Sequence, residues 1–112
     1  MKEKTSAPES IRRATLIFMN TKDLQASYLS ASIDPHIEVI DLHNTHSVSS
    51  ALDLLETELY NIAQKTDARY CRVIHGIGEG ILKREVLLYV KKHPLVVDAK
   101  VDDHGGSTIV LF

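Results

Sequence analysis

The sequence predicts an α/β fold, specifically an α+β two-layer sandwich with two helices packed on a mixed four-stranded sheet. After residue 36, apolar residues switch between strand and helix periodicities in the order β-α-β-α-β-β. A strand, a glycine-rich turn and a helix follow one another between Tyr70 and Val90. With 112 residues, the chain is long enough to bury one core and too short for two domains.

The N-terminal part of the chain is predicted to lie outside the main domain. Residues 1–10 are polar and aperiodic, which indicates a disordered tail. Residues 11–36 form an N-terminal extension in which Thr15 to Met19 is a candidate strand. Thr21 is a candidate cap for a brief helix, which Asp34-Pro35 would end.

The main domain is predicted to span residues 37–112. Its first strand runs from Ile37 to Leu42, and Ser47 is the predicted N-cap of a long helix. Apolar residues recur along this helix at alternating spacings of four and three, which places them on one face. They are Val48, Leu52, Leu55, Leu59 and Ile62.

The second half of the domain repeats the pattern and closes with a hairpin. A strand from Tyr70 to His75 precedes the glycines, and the helix after them is stopped by Pro94. Two strands, Val96 to Asp102 and Thr108 to Phe112, follow and form an antiparallel hairpin. The β-α-β unit before it requires parallel strands with a right-handed crossover. Polar residues alternate with apolar ones on these strands and indicate one face open to solvent: Arg72, Asp98 and Lys100.

The turn after the second strand has the features of an anion-binding loop. Gly76, Gly78 and Gly80 let the backbone approach a ligand, and the following helix offers unpaired N–H groups and a partial positive charge. Lys83 and Arg84 lie in the first turn of that helix, where the dipole disfavours cations. A bound phosphate would remove this conflict.

A purely structural interpretation of the same loop stays open. The glycines also suit a tight strand-to-helix connection whose basic residues are neutralised by Glu79 and Glu85. The G-x-G-x-G spacing matches neither the dinucleotide-binding motif nor the P-loop, because the last glycine is misplaced and no Gly-Lys-Ser/Thr follows.

Three further residues are predicted at the same edge of the sheet. Ligands of open α/β sheets gather beyond the carboxyl ends of the parallel strands, where Asp41, His43 and His75 lie. A histidine can act as general acid or base near neutral pH, with the aspartate orienting it or holding a metal. Together with a phosphate-binding loop, these residues are typical of phosphodiester hydrolysis.

The Asp-x-His pattern also has simpler explanations. An aspartate that caps a turn beside an exposed histidine gives the same sequence. Asp41, His43 and His46 could ligate a metal, although no cysteine or second ligand cluster supports a zinc site. The remaining histidines are interpreted as surface or loop residues: His36, His93 and His104.

Charge and hydropathy argue against some classes of function. The formal net charge is −2, so nucleic-acid binding through an overall positive field is disfavoured and a phosphate-bearing partner must be held by a local patch. Cys71 lies within a predicted strand and is interpreted as a small buried hydrophobe. No membrane-spanning run or signal peptide is recognised, so a cytoplasmic location is expected.

Three short motifs follow one another in the chain: Asp41-Leu42-His43 comes first, then the glycine-rich segment Val73 to Leu82, and finally Gly105 to Val110. In this order they resemble the Smr (small MutS-related) domain. The segment Val90 to Val96 also resembles the end of the second helix in Smr domains attached to MutS-like proteins. The resemblance covers about residues 38–112.

The resemblance implies a fold like the C-terminal domain of translation initiation factor 3. It also implies nucleic-acid binding with nicking or endonuclease activity on DNA or RNA, and a ribosomal role for some members. The family's Asp-Leu-His motif falls on Asp41 to His43, and its glycine motif falls on Gly76 and Gly78. This chain departs from the family at Asn44, where glycine is usual, and at His75, where many members have threonine.

Three hypotheses about function follow. In the first, Asp41 and His43 cleave a phosphodiester, with or without a divalent metal, while the Gly76–Gly80 loop, Lys83 and Arg84 grip the backbone. In the second, the domain binds structured nucleic acid or the ribosome without cleaving it. In the third, the open sheet face binds another protein. The choice between DNA and RNA and the oligomeric state stay open.

Overall fold

The structure is a computed structural model that describes residues 21–65 and 67–112. Seven helices and strands lie within these ranges: α1 Thr21–Ile33, β1 Glu38–Asp41, α2 Val48–Ala63, β2 Tyr70–Ile74, α3 Ile81–Lys92, β3 Asp98–Val101 and β4 Ser107–Leu111. The tail predicted at residues 1–10 and the strand predicted at Thr15 to Met19 lie outside the described residues.

The four strands form one sheet in the order β1-β2-β4-β3. β1 and β2 are parallel, with Asp41 opposite Ile74, and β4 is antiparallel to both of its neighbours. Because β4 is central, all five of its residues are buried. The predicted β-α-β-α-β-β order and the mixed four-stranded sheet are confirmed.

The larger core lies between the sheet and the two helices α2 and α3. Ser47 caps α2 as predicted, since its side chain accepts a hydrogen bond from the backbone N–H of Ser50 at 3.0 Å. The predicted apolar stripe is correct at its C-terminal end and shifts by one position at its start. Four residues of α2 are buried: Ala51, Leu55, Leu59 and Ile62.

The second face of the sheet is partly covered, which corrects the expectation of an open face. Helix α1 packs there, and Ala31 is fully buried against Ile109 and Leu111. The Tyr28 hydroxyl donates to Asp98 at 2.7 Å, and the Tyr70 hydroxyl donates to Asp34 at 2.8 Å. The sandwich therefore carries a third helix, because the extension before residue 37 supplies apolar side chains that cover strand β4.

The interpretation of His93 as a surface or loop residue is wrong. The residue caps the C-terminus of α3 and is buried. Its Nε2 lies 2.8 Å from Glu56 Oε1 on α2, and its Nδ1 accepts the N–H of Leu95 at 3.1 Å. The same glutamate oxygen accepts the hydroxyl of Tyr89. His93 therefore joins the C-terminus of α3 to α2.

Within the described ranges, every helix is too short or too polar to cross a bilayer.

Candidate nucleic-acid interface

The glycine loop between β2 and α3 presents backbone donors at its end. Gly76 and Gly80 have φ angles of 84° and 86°, which L-residues with a side chain rarely adopt. Gly80 is the N-cap of α3, and no side chain caps this helix. Its carbonyl accepts the N–H of Arg84 at 3.0 Å, so the N–H groups of the preceding turn have no intrahelical acceptor. These donors suit an anionic ligand.

The basic residues at this helix start differ in placement. Lys83 Cε would lie 3.9 Å from a Cβ built on Gly80, so the lysine stem folds back toward the loop. Arg84 is exposed, and its Nε donates to Glu85 Oε2 at 3.4 Å. No acidic residue lies in the first turn of α3. Lys83 is therefore the cation that adds most directly to the field of the loop.

Asp41 and His43 form a contact at the end of β1. The Nδ1–H of His43 donates to Asp41 Oδ1, and the backbone N–H of His43 donates to the same oxygen at 3.1 Å. Both bonds lower the pKa of the Asp41 carboxyl below its ordinary value, and the bond from the His43 side chain has the larger effect. Both side chains are about half exposed, at 48% for Asp41 and 49% for His43.

This contact fixes the tautomer of the imidazole. A ring that donates from Nδ1 to a carboxylate keeps a lone pair on Nε2 in its neutral form. Among the described residues, Nε2 of His43 has no hydrogen-bond partner. The pair thus has the arrangement of a general base oriented by a carboxylate.

The structure brings this pair and the glycine loop together. The parallel pairing continues past β1, since the N–H of Leu42 donates to the Ile74 carbonyl at 2.7 Å. A Cβ built on Gly76 would lie only 3.5 Å from His43 Cβ. Asp41, His43 and Gly76 therefore share one edge of the sheet, as the sequence predicted.

His75 faces the interior. Its ring is buried, its Nδ1–H donates to the Gly76 carbonyl at 3.1 Å, and its Nε2 lies 3.0 Å from the Thr108 hydroxyl. Burial is the main cause that lowers the pKa of His75. The predicted nucleic-acid-binding role of His75 stays a prediction, whereas its side chain supports the loop through Gly76 and Thr108.

Gly78 is the most open of the three glycines. A Cβ built there would meet no atom within 4 Å, and its φ angle lies outside the left-handed range. Its position therefore requires no glycine for local steric reasons, in contrast to Gly76 and Gly80.

Comparison with known proteins decides the family. A family model described as the Smr domain matches residues 40–112. The chain belongs to the Smr domain family. Among curated relatives, the Smr chain is 34% identical over 58 residues to the ribosome rescue factors SmrB of Shewanella putrefaciens and of Shewanella oneidensis. This match covers 52% of the chain and 32% of either relative, so the chain spans about a third of their length.

A solved structure supports the same fold. The crystal structure of the Smr domain of Thermus thermophilus MutS2 matches this Smr domain with a TM-score of 0.59 and 23% sequence identity. The match covers 67% of this chain and 96% of that one. At this identity the likeness shows the fold alone.

The described part of this Smr domain contains no group of side chains suited to bind a metal ion. Within residues 21–65 and 67–112, no three His, Cys, Asp or Glu side chains form a group that could hold a metal ion. Asp41 and His43 supply two such side chains at the loop edge, and His46 does not complete a set with them.

The structure adds residues that the sequence interpretation missed. Arg72 on β2, Asp102 after β3 and Ser107 on β4 are joined by hydrogen bonds from the Arg72 guanidinium. Arg72 lies 30 residues before Asp102 and 35 before Ser107, and no single motif contains all three, so only the sheet order could have revealed the cluster. The alternation of Arg72 with buried residues did signal which face it occupies.

Proposed function

We propose that this Smr domain binds the phosphate backbone of nucleic acid, with ribosome-associated RNA as its principal target. The uncapped start of α3 beside Lys83 carries the proposal, because free N–H groups, the helix dipole and a cation favour an anion at one point. The SmrB relatives are named ribosome rescue factors, which supports the ribosome as the setting and the cytoplasm as the location.

The charge of the chain is consistent with nucleic-acid binding through a small number of groups at the loop. With a formal net charge of −2, the surface as a whole does not attract polyanions, so affinity depends on the few donors at the loop. Binding that neutralises few phosphates has a shallow salt dependence, and each lost cation reduces the slope of log K against log salt by about 1.

Phosphodiester cleavage is the second candidate function, and the Asp41–His43 contact favours it. In this proposal, Nε2 of His43 takes a proton from the attacking hydroxyl or water as the oxygen of that group bonds to phosphorus, and Asp41 stabilises the imidazolium that forms. The scissile P–O bond breaks, and the leaving oxygen takes a proton from solvent. The N–H groups of the loop, together with Lys83, stabilise negative charge on the phosphate. Cleavage is assayed with Mg²⁺, with Mn²⁺ and with EDTA, because a carboxylate such as that of Asp41 is a ligand for divalent ions.

One experiment separates the two candidates. Binding and cleavage of single-stranded RNA and of branched DNA are measured for the wild type, for His43→Ala and for Lys83→Ala/Arg84→Ala. The matched control is Lys91→Ala/Lys92→Ala, which removes the same charge from the opposite end of α3. We expect the loop pair to weaken binding about tenfold with a smaller salt slope, and the control to stay near wild type.

The outcomes discriminate among the three hypotheses. Cleavage by the wild type that His43→Ala abolishes, with binding intact, supports catalysis by the pair. Binding without product in any metal condition supports the binding module. The loop is overturned as a nucleic-acid site if Lys83→Ala/Arg84→Ala and Lys91→Ala/Lys92→Ala lose the same affinity. It is also overturned if the wild type retains no RNA or DNA at low salt. Either result would favour a protein-interaction domain.

A further inference from the structure

A pocket of about 710 Å³ opens beside the glycine loop, on the sheet face that α1 partly covers. Its size falls in the range of small-molecule sites. The side chains that give it chemical character are Arg72, Ile74, Ile77, Asp102, His104 and Ser107. Ser32 of α1 lines it as well, and α1 lies outside the residues 40–112 that match the family, so one wall of the pocket comes from this chain's own extension.

The floor of the pocket is a hydrogen-bonded polar cluster. Nη1 of Arg72 donates to Asp102 Oδ2 and, at 3.0 Å, to Ser107 Oγ. The described residues give its Nε and Nη2 no acceptor, so the guanidinium has N–H donors to spare for a ligand. Burial raises the pKa of Asp102, but the bonds from Arg72 and the Asp103 N–H outweigh it and lower the pKa overall.

The imidazole ring of His104 forms one flat side of the pocket, and its hydrogen bonds determine which ring nitrogen carries the proton. Its Nδ1 accepts the N–H of Gly106 at 3.1 Å, so Nε2 carries the ring proton and points to Asp102 Oδ2 at 3.2 Å. Both ring nitrogens are therefore engaged in the plane of the ring. The ring face is the part of His104 left to contact a ligand.

Ile77 at the tip of the loop supplies an apolar wall. It is 83% exposed, the highest fraction among the large hydrophobic residues of the described chain. A Cβ built on Gly106 would lie 3.3 Å from His104 Nδ1 and 3.5 Å from Ile77 Cγ1. Both side chains therefore pack closely on the backbone at Gly106, and they form adjacent parts of the pocket lining.

The pocket lies next to the proposed phosphate site, and Gly76 of the glycine loop is part of its lining. Gly76 also lies against His43, so both sites open onto the same edge of the sheet. A nucleotide has a charged phosphate next to a flat base with apolar faces and acceptor atoms on its edges. These features match, in order, the loop donors, the Ile77 and His104 surfaces, and the Arg72 donors.

We propose that this pocket holds one nucleobase of the bound strand, stacked on Ile77 and His104 with an acceptor edge on Arg72. The proposal rests on the proposed nucleic-acid binding and names a base-contacting subsite beside it. Base contact explains why a strongly apolar side chain stands exposed on a loop whose other features serve an anion.

Abasic scanning of a short single-stranded RNA tests the pocket. Each position in turn loses its base while the backbone stays intact, and affinity is measured for the wild type and for Ile77→Ala. One abasic position should weaken wild-type binding about tenfold, because stacking of a base on an aromatic ring, here that of His104, contributes on that scale. Ile77→Ala should weaken binding of the intact RNA and respond less to the same abasic position.

The control is Leu88→Ala, which trims another exposed apolar residue on the helix that packs on the opposite face. It should bind like the wild type and keep the abasic effect. If the wild type binds intact RNA and no abasic position matters, the nucleobase pocket is overturned and the phosphate site stands. If the wild type binds no intact RNA, the proposed function itself fails and the pocket proposal falls with it.

Discussion

Three histidines near one edge of the sheet differ in what their ring nitrogens can do. His75 and His104 have both nitrogens engaged, the first in the core and the second in a turn. His43 donates from Nδ1 to Asp41 and leaves Nε2 toward solvent. Hydrogen-bond partners, and not residue type, therefore determine which of these rings can accept a proton from a substrate.

Gly76 is expected to be the glycine that tolerates substitution least. Its φ of 84° costs an L-residue about 1–2 kcal/mol, whereas an added methyl group would make only an ordinary contact with His43 Cβ at 3.5 Å. Gly76→Ala should lower the free energy of unfolding, measured by urea denaturation, by about that amount. Gly78→Ala is the matched control, since its Cβ would meet open space and its φ is ordinary. A stability change equal in both variants would contradict the assigned backbone geometry.

Helix α3 has a free end and an anchored end. Its N-terminus at Gly80 lacks a side-chain cap and faces the candidate site, whereas its C-terminal cap His93 is bonded to Glu56 of α2. Val86 and Val90 bury its middle against the sheet. Helix α3 is therefore fixed at its C-terminus and along its buried face. These contacts also fix the position of the backbone N–H groups at its N-terminus.

Removing the anchor should destabilise the domain. His93→Ala leaves the Leu95 N–H without its acceptor and leaves the Glu56 oxygen with the Tyr89 hydroxyl alone. A lost buried hydrogen-bonding group costs about 1–3 kcal/mol of unfolding free energy. Urea denaturation measures the loss. His46→Ala, at an exposed position before α2, should stay within about 0.5 kcal/mol of wild type. Equal stabilities for the two variants would show that His93 does not join the helices.

At the scale of the molecule, the sheet has a core on each face. α2 and α3 build the larger core, and α1 builds the smaller one over β4. The residues matched by the family model begin at residue 40, so the smaller core depends on a segment before the match. This segment also supplies one wall of the pocket beside the loop.

The docking of α1 predicts a contrast between two alanines of the same helix. Ala31 is fully buried on the sheet, while Ala26 is exposed. Ala31→Gln forces an amide into a packed site and should lower the free energy of unfolding by about 1–3 kcal/mol. Ala26→Gln should leave it nearly unchanged in the same thermal or urea measurement. If both variants match the wild type, α1 does not contribute to the core.

Local patterns predicted most of the fold and part of the candidate site. The cap at Ser47, the stop at Pro94 and the glycines at Gly76 and Gly80 act within a few residues, so the sequence reveals them directly. The parallel pairing that joins His43 to Gly76 also followed from the β-α-β order. The shift of the α2 stripe to Ala51 was missed, because a small apolar residue carries a weak periodic signal.

The sequence by itself determined the order of elements, the loop and the residues at its edge, because each depends on local backbone preferences and on periodic burial. Only the tertiary structure decided that α1 covers the second face, that His75 and His93 turn inward, and that Arg72, Asp102 and Ser107 meet beside the loop. These outcomes arise from contacts between strands and helices distant in the chain. Their free energies depend on residues from several parts of the chain, so no short stretch of sequence predicts them.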